Sequence, residues 1–327
     1  MSFPSNPLVW LLIDDRTGDE NQVRGVAEAL GLRYQVQDLE YTAAAQLPNF
    51  IMGPTFGGLS RQSRVNLSAP WPDLVIAAGR RTAPVARNIK KLSGGKTFLA
   101  QVMYPGDAGF DEFDLVAVPR HDNIPPGPNV FYTTGAPHRV TPGLLQLESD
   151  QWVSEVADLP HPRIAVIVGG STKRRKFDEA WAKTLAEDIS EMARASGGSL
   201  MVTTSRRTGD GPGRALMEAL SAPNVHHLWK RGEEHNPFYG YLGLADAVVV
   251  TGESTSMCTE ACATEKPVYI WAPKKLTSHK HGQLHKDLYE KGFARPFAGQ
   301  LEDWSHPPIN PAGEIAGEIR RRLGIEA

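Results

Sequence analysis

Short apolar runs alternate with amphipathic helical patterns along almost the whole 327-residue chain. One such pair is the run Leu74–Ala78 and the helix-like pattern Ala83–Leu92. Parallel strands need long crossover connections, so this alternation is typical of parallel sheets covered by helices. The sequence therefore predicts an α/β fold. Six strands are expected in the first half: Leu8–Ile13, Tyr34–Leu39, Leu74–Ala78, Thr97–Met103, Leu115–Val118 and Val130–Thr133.

The alternation is interrupted at the proline-bracketed segment Asp158–Pro162 and begins again at Arg163–Val168. A chain of this length is long for one domain and suits two. We therefore predict two doubly wound, Rossmann-like domains facing across a cleft, at residues 1–158 and 163–305, with a C-terminal helix within 306–327. Four further strands are expected in the second half: Leu200–Thr204, Val225–Trp229, Ala247–Thr251 and Val268–Ile270.

Charge and cysteine content restrict the class of protein. The net charge of −2 gives no reason to expect nucleic-acid binding. The apolar run Leu8–Ile13 ends at two aspartates, has no basic residues before it and is too short to span a bilayer. Cys258 and Cys262 are too few for a disulfide framework. We therefore expect a cytoplasmic protein.

A glycine turn directly follows the strand Arg163–Val168. It contains Gly169, Gly170, Ser171, Thr172 and Lys173, and three more basic residues follow. Glycines allow backbone N–H groups to approach an oxyanion, so this turn is a candidate phosphate site. It matches neither the P-loop nor the GxGxxG pattern. The alternative is an ordinary tight turn followed by a solvated basic surface.

A second polar turn follows the apolar run Ala247–Thr251. Gly252, Ser254 and Thr255 are placed to hold a second phosphate. Glu260 lies about one helical turn later, where a carboxylate can accept hydrogen bonds from two ribose hydroxyls. Alternatively, Ser254 caps the helix and Glu260 is an exposed surface acid.

These two segments resemble the C-terminal domain of the peptidoglycan glycosyltransferase that adds N-acetylglucosamine to a lipid-linked precursor. The matching motifs are Gly169-Gly170-Ser171, the turn Thr251–Thr255, Glu260 and Lys266-Pro267. The resemblance implies the two-domain GT-B architecture, with Gly170 and Ser171 contacting the donor diphosphate and Glu260 the ribose. The chain departs from that family at Glu265-Lys266, where a glycine often precedes the proline.

Over nearly its full length, the chain resembles the proteins named for mitochondrial fission in plants, whose bacterial relatives are described as glycosyltransferases. The matching motifs are Gly18-Asp19-x-x-Gln22, the Gly-Gly-Ser turn and Asn236–Leu242. The family name describes a plant phenotype and not a reaction.

The loop after the first strand supplies the candidate catalytic base. An inverting glycosyl transfer needs a base to take the proton of the acceptor hydroxyl. In the peptidoglycan relative a histidine follows the glycine of this loop, and here Asp19 follows Gly18. Asp15 and Glu20 are the alternatives, and Asp19 would otherwise cap the following helix. The candidate acceptor-binding residues are Arg16, Thr17, Gly18, Gln22 and Arg80.

A basic segment follows the strand Val268–Ile270. Lys280 is a candidate for neutralising the leaving diphosphate, and Gln283 resembles the glutamine that binds donor-sugar hydroxyls in the peptidoglycan relative. His279, His281 and His285 lack carboxylate or cysteine partners at zinc spacing, so no metal is expected. The alternative is a basic surface loop.

The sequence therefore predicts a glycosyltransferase, and inversion is implied by the resemblance alone. It would move a sugar from a nucleotide-diphosphate sugar, as co-substrate and without a cofactor, to a saccharide or lipid-linked acceptor of the cell envelope. The alternatives are a nucleotide-sugar epimerase on the same scaffold and a non-catalytic binding protein.

The segment Tyr41–Pro70 shows weak periodicity and contains several apolar residues: Phe50, Ile51, Met52 and Phe56. These side chains are candidates for peripheral contact at the inner face of the membrane, and ordinary packing is the alternative.

Overall fold

The computed structural model describes residues 3–232 and 235–325, apart from the side chain of Thr17. The chain divides into two compact units. The first contains the residues up to Arg139 and those from Asn310 onward, and the second is Val140–Ile309. Each unit contains one six-stranded parallel sheet with helices against it.

The first unit is built around a sheet with the order β2-β1-β3-β4-β5-β6. Its strands are β1 (Val9–Ile13), β2 (Gln35–Asp38), β3 (Leu74–Ala78), β4 (Phe98–Val102), β5 (Leu115–Pro119) and β6 (Val130–Thr133). Its helices are α1 (Thr17–Leu30), α2 (Asn49–Met52), α3 (Arg61–Asn66), α4 (Gly79–Leu92) and α11 (Pro311–Leu323). All residues of β1, β3 and β5 are buried, because apolar clusters cover both faces of the sheet.

The second unit has the strand order β12-β11-β10-β7-β8-β9. Its strands are β7 (Arg163–Val168), β8 (Ser199–Thr204), β9 (Asn224–His227), β10 (Ala247–Thr251), β11 (Val268–Trp271) and β12 (Arg295–Pro296). Its helices are α5 (Pro142–Trp152), α6 (Glu179–Ala195), α7 (Asp210–Ala219), α8 (Phe238–Leu244), α9 (Thr255–Ala261) and α10 (His279–Glu290).

Both strand orders reverse direction at a defined point of the sheet. In the second unit the reversal lies between β7 and β10, and in the first between β1 and β3. Open parallel sheets bind ligands outside the carboxyl ends of the strands at such points. A ligand site is therefore expected in the loops that follow β1, β3, β7 and β10.

The strands predicted from the apolar runs are all present, and the α/β prediction is confirmed. The helix Asp210–Ala219 and the two-residue strand Arg295–Pro296 were not predicted. Helix α1 begins at Thr17, so Gly18 and Asp19 of the loop expected after the first strand lie in its first turn. Helix α10 begins at His279 because Ser278 and His281 form a reciprocal capping box.

The compact units differ from the predicted domain boundaries at both ends. Helix α5 belongs to the second unit, where the Trp152 ring lies 6.1 Å from the Tyr241 ring of α8. The C-terminal helix α11 is not a separate piece, since Ile315 and Ile319 join the apolar core of the first unit. The division therefore falls after Arg139 and not at the proline-bracketed joint near residue 158.

Candidate functional site

The two phosphate-site segments of the sequence lie side by side in the second unit. Strand β7 pairs with β10, so the turns that follow them are neighbours at the point where the strand order reverses. A Cβ atom placed on Gly169 would lie 3.2 Å from the Cβ of Ser254. The structure thus brings the glycine turn and the Ser254 turn together.

An internal carboxylate occupies the glycine turn. The backbone N–H of Gly170 donates to Oε1 of Glu253 at 2.5 Å, and the Thr251 hydroxyl donates to the same oxygen at 3.0 Å. Glu253 is only 4% exposed, and this burial raises the pKa of its carboxyl against the lowering effect of its hydrogen bonds. The turn is therefore already occupied by the side chain of Glu253, as a carboxylate or in its protonated form.

The other amides of the turn are also taken by protein acceptors. The N–H of Gly169 donates to the Thr251 hydroxyl oxygen at 2.9 Å, and the N–H of Ser171 donates to the Arg207 carbonyl at 2.9 Å. The Thr172 N–H donates to the Arg175 carbonyl at 2.8 Å. The expectation that these amides are available for a phosphate is therefore wrong. The hydrogen bonds that these amides donate stabilise the turn itself.

The glycines are required by close packing of the backbone. Gly170 has a φ of +118°, and a Cβ placed on it would lie 2.4 Å from the carbonyl of Arg207 and the nitrogen of Thr208. A Cβ on Gly169 would lie 2.1 Å from Oε1 of Glu253. The Gly-Gly pattern thus reflects contact with the loop after β8 and with Glu253.

Arg207 is a candidate residue that the sequence analysis missed. One of its guanidinium nitrogens lies 3.0 Å from the position of a Cβ on Gly169, so the group points into the turn. Among residues 3–232 and 235–325 its guanidinium makes no hydrogen bond, and its charge lowers the pKa of the nearby Glu253 carboxyl. The missed signal is the pair Arg206-Arg207 directly after β8, at the same edge of the sheet as the glycine turn.

Further cations lie near Arg207. Burial lowers the pKa of His281, and the charges of Arg207, Arg175 and Lys280 lower it further, in that order. Arg175 is held in place by a 3.2 Å hydrogen bond to the carbonyl of Lys275, and Lys173 is exposed. This part of the second unit is therefore suited to an anionic ligand through side-chain cations rather than backbone amides.

Glu260 lies on α9 with its carboxylate buried. The residue is 7% exposed, and burial raises its pKa to about 7. No donor to this carboxylate occurs in the described part of the chain. The alternative interpretation of Glu260 as an exposed surface acid is thus wrong. Ser254, which precedes the helix, forms no side-chain capping bond.

The basic segment forms the start of α10. Lys280 is exposed in its first turn, and Gln283 is half-buried one position past Gly282. His285 is buried and its Nε2–H donates to the Gly252 carbonyl at 2.8 Å, which fixes the turn after β10. A cavity of about 500 Å³ lies beside this helix, lined among others by Trp271, Gly282 and His285.

The described residues include no group of three His, Cys, Asp or Glu side chains that could hold a metal ion.

In the first unit, an arginine joins two aspartates at the point where the strand order reverses. Arg81, after β3, donates to Oδ2 of Asp14 at 2.8 Å and also pairs with Asp15. Its guanidinium lies 4.8 Å from the centre of the Tyr41 ring. A cavity of about 400 Å³ is lined by these four residues together with Asp38 and Glu40.

Asp19 lies beside this cluster, inside the first turn of α1. It does not cap the helix, whose N-cap residue is Arg16. Its Oδ2 is buried without a hydrogen-bond partner and lies 3.7 Å from the Arg16 guanidinium. Burial raises the pKa of Asp19, and the negative charge of Asp14 raises it further. A carboxylate with a raised pKa is a better proton acceptor, as a general base requires.

Close approach to Asp19 depends on a glycine. Gly79 has a φ of +75°, and a Cβ on it would lie 3.2 Å from Oδ2 of Asp19. No atom lies within 4 Å of a Cβ placed on Gly18, so the backbone beside Asp19 faces open space.

Two of the predicted acceptor-binding side chains have structural partners instead. Gln22 is buried, and its amide donates to the Gly18 carbonyl at 3.2 Å and contacts the Met103 sulfur at 3.6 Å. Arg80 donates to the carbonyls of Leu47 and Ala45, at 2.9 and 3.2 Å. Arg81, and not Arg80, therefore joins the aspartate cluster. The side chain of Thr17 lies outside the described residues.

Comparison with known proteins places the chain in a family. The family model "Mitochondrial fission ELM1" matches residues 17–323. The chain belongs to this family. A mitochondrial fission protein ELM1 of Arabidopsis thaliana is 32% identical over 291 residues, which cover 81% of this chain and 67% of that protein. An uncharacterised protein of Rickettsia prowazekii (strain Madrid E) is 28% identical, over 97% of this chain and 99% of its own length.

Solved structures share the fold of this ELM1-family chain. A UDP-GlcNAc 2-epimerase from Methanocaldococcus jannaschii matches with a TM-score of 0.53 and 13% identity, over 98% of this chain and 100% of that one. MurG of Acinetobacter baumannii matches with a TM-score of 0.48 and 15% identity, over 97% and 92% of the two chains. The match to the epimerase, together with the two six-stranded parallel sheets, confirms the predicted GT-B fold, and similarity at this level of identity shows the fold alone.

Proposed function

We propose that this protein is a glycosyltransferase that moves a sugar from a nucleotide-diphosphate sugar to a saccharide or lipid-linked acceptor of the cell envelope. The observation that carries the proposal is the buried Glu260 carboxylate, which lacks a donor among the described residues. A buried carboxylate is costly unless hydrogen-bonded, and a vicinal diol such as ribose supplies two donors. The GT-B fold and the cations around Arg207 agree with a nucleotide ligand.

On the donor side, Glu260 would accept hydrogen bonds from the ribose. Arg207, with Arg175 and Lys280, would hold the diphosphate, whose negative charge increases as the sugar–phosphate bond breaks. Gly169, Gly170 and Ser171 would act as the rigid support of Arg207 rather than as direct donors. These cations would stabilise the leaving nucleotide without a metal ion.

On the acceptor side, Asp19 would take the proton of the attacking hydroxyl. Its Oδ2, which is buried and makes no hydrogen bond, and its raised pKa suit this role. Attack at the anomeric carbon by the deprotonated oxygen, opposite the leaving diphosphate, gives inversion. The hydrogen bond from Arg81 lowers the pKa of Asp15, whereas the pKa of Asp19 is raised, so Asp19 would be the proton acceptor.

The test compares Asp19→Asn with Glu20→Gln in assays of nucleotide release from a panel of nucleotide sugars. The Asn variant should bind nucleotide as the wild type does but lose about 10²- to 10⁴-fold in transfer rate. Glu20 is the neighbouring acid, and it pairs with Arg24 at 2.7 Å. Its replacement should leave the transfer rate within about twofold of wild type. Equal rates for both variants would exclude Asp19 as the base.

The same assay separates the alternative functions. An epimerase converts a nucleotide sugar in the absence of an acceptor and releases no free nucleotide. A non-catalytic member of the family binds nucleotides without turnover, or does not bind them. A thermal-shift screen with nucleotides and nucleotide sugars detects the binding step alone, because a ligand of the native state raises the melting temperature.

A further inference from the structure

An exposed apolar surface is formed by residues 47–65 of the first unit. Phe50 is 77% exposed, Ile51 58% and Leu47 44%, all on or next to the four-residue helix α2. Val65 of α3 is 67% exposed. Four of the seven large apolar side chains that are exposed among the described residues thus fall in this one segment. Isolated exposed apolar residues need no explanation, but a group of them marks a contact surface.

The segment is held rigidly beneath these side chains. Asn49 is buried, and its amide donates to the carbonyls of Arg80 and Pro105 at 3.1 and 2.9 Å. Arg80 donates in return to the Leu47 carbonyl and to Oδ1 of Asn49 at 2.9 and 3.2 Å. The backbone is therefore fixed, and Phe50 is exposed because its position on α2 directs it outward. The ring of Phe56, by contrast, packs against the ring of Trp71, with 6.4 Å between the ring centres.

The charged residues of this surface are basic, and Glu40, whose carboxylate accepts a hydrogen bond from the Ser60 hydroxyl at 3.1 Å, is an acid next to it. Residues 41–72 contain no aspartate and no glutamate. Arg61, Arg64 and Arg80 are exposed, and none of them has a carboxylate partner in the described part of the chain. Arg64 and Arg80 bind backbone carbonyls instead, so both keep their positions and their net charge.

We propose that residues 47–65 form a membrane-docking surface, which inserts Phe50 and Ile51 into the interface of an anionic bilayer while Arg61, Arg64 and Arg80 face the lipid phosphates. Apolar side chains on a polar, basic surface are the arrangement by which proteins lie on membranes without spanning them. No helix among the described residues is long and apolar enough to cross a bilayer.

A protein partner fits this surface less well. A stable protein interface buries about 800 Å² on each side, with aromatic anchors set in pockets. Here Phe50 and Ile51 project from a single turn of helix, Leu47 lies just before it, and the charged residues within 41–72 are basic. Such a projection suits penetration into a fluid, negatively charged layer.

The position of the surface relates it to the aspartate cluster. Arg80 binds the Leu47 carbonyl, and its neighbour Arg81 binds Asp14. Tyr41, which stacks on Arg81, is bridged to Leu59 within the same segment. A docked bilayer would thus lie near the proposed acceptor site. Docking itself does not depend on the transfer reaction.

Vesicle binding of the full chain tests the proposal. Wild-type protein should float with phosphatidylcholine vesicles that contain about 30 mol% phosphatidylglycerol, and at least about tenfold less with pure phosphatidylcholine. Phe50→Ser should weaken binding to the anionic vesicles by about tenfold or more, since one buried aromatic side chain is lost. Leu147→Ser is the matched control, because Leu147 is 60% exposed on α5 of the second unit. It should bind as wild type does.

Charge and insertion are tested separately. Arg61→Gln should weaken binding about fivefold, whereas Arg33→Gln, at an exposed position of the first unit, should not. Cys258 and Cys262 are the chain's only cysteines and both are buried, so Ile51→Cys adds one accessible thiol. An environment-sensitive label there should shift to the blue on anionic vesicles, and the same label at Leu147→Cys should not.

Several results would overturn the proposal. They are a wild-type protein that does not bind anionic vesicles, equal losses for Phe50→Ser and Leu147→Ser, or an unchanged label spectrum at position 51. Self-association that Phe50→Ser abolishes, measured by sedimentation equilibrium, would identify the surface as an interface between copies of this chain.

Discussion

Replacing Glu260 by glutamine should stabilise the unliganded protein at high pH and not at low pH. Burial raises the pKa of this carboxyl from its usual 4.5 to about 7 in the folded state. The folded protein therefore holds the proton more tightly than the unfolded chain does. The resulting stability is fully present below about pH 4.5, falls as the pH rises and is lost above about pH 7. At about 1.4 kcal/mol for each pH unit, the difference between the two pKa values corresponds to about 3 kcal/mol.

The glutamine variant lacks this titration. Its free energy of unfolding should exceed that of the wild type by about 3 kcal/mol near pH 8 and by much less near pH 5. For a unit of this size, about 2–4 °C in melting temperature accompanies each kcal/mol, so a difference of roughly 6–12 °C is expected near pH 8. Glu265→Gln, at an exposed position five residues later, should change stability by less than about 0.5 kcal/mol. An effect of Glu260→Gln that has the same size at both pH values would refute the reasoning, because burial of a charge would not be its cause.

Ligand binding should act on the same group. Hydroxyl donors favour the ionised carboxylate, so a nucleotide that contacts Glu260 lowers its pKa. Binding near pH 7 should then release protons, which calorimetry detects in buffers of different ionisation enthalpy. Glu260→Gln should abolish the release. Proton release that persists in this variant would place the titrating group elsewhere.

Two further outcomes follow from the glycine turn. Arg207→Gln should weaken binding of a nucleoside diphosphate by about 10- to 100-fold, because one charged hydrogen bond is lost, and should leave binding of the free nucleoside unchanged. Arg206→Gln should change neither affinity. If calorimetry finds the same affinities for the two variants, Arg207 is not part of the site. Gly170→Ala should destabilise the protein by at least about 1–3 kcal/mol in thermal unfolding, because its Cβ would lie 2.4 Å from backbone atoms. Gly317→Ala, where a Cβ meets nothing within 4 Å, should be neutral or stabilising, and a similar loss for both would contradict the steric argument.

Local patterns predicted the strands because each needed only neighbouring residues. A run such as Ala247–Thr251 is apolar on both faces, and that pattern is distinctive of a strand buried between layers of helices. Helix α7 was missed because its sequence contains Gly211, Pro212 and Gly213, which weaken a helical pattern. Its buried Ala215 and Leu216 pack in the core, and this packing outweighs the propensity.

The sequence predicted which turns lie together but not the contacts within them. The rule that ligands bind beyond the carboxyl ends of strands pointed to turns that the structure brings together, since it depends only on strand order. The partner of the Gly170 amide is Glu253, 83 residues away in the sequence, and Arg81 binds Asp14 across 67 residues. No local pattern contains such pairs. They follow from which strands become neighbours.

The contact between Glu253 and Gly170 changes how the glycine turn should be understood. A glycine pair after a strand is compatible with two structures, one in which its amides bind a phosphate and one in which they bind the protein. Here the second applies, because a carboxylate and two carbonyls accept the hydrogen bonds from the turn. A phosphate placed on the Gly170 amide would have to displace a buried carboxylate, against both its hydrogen bonds and charge repulsion. The proposed recognition of an anion in this unit therefore depends on side-chain cations, and Arg207 has a guanidinium nitrogen 3.0 Å from the position of a Cβ on Gly169.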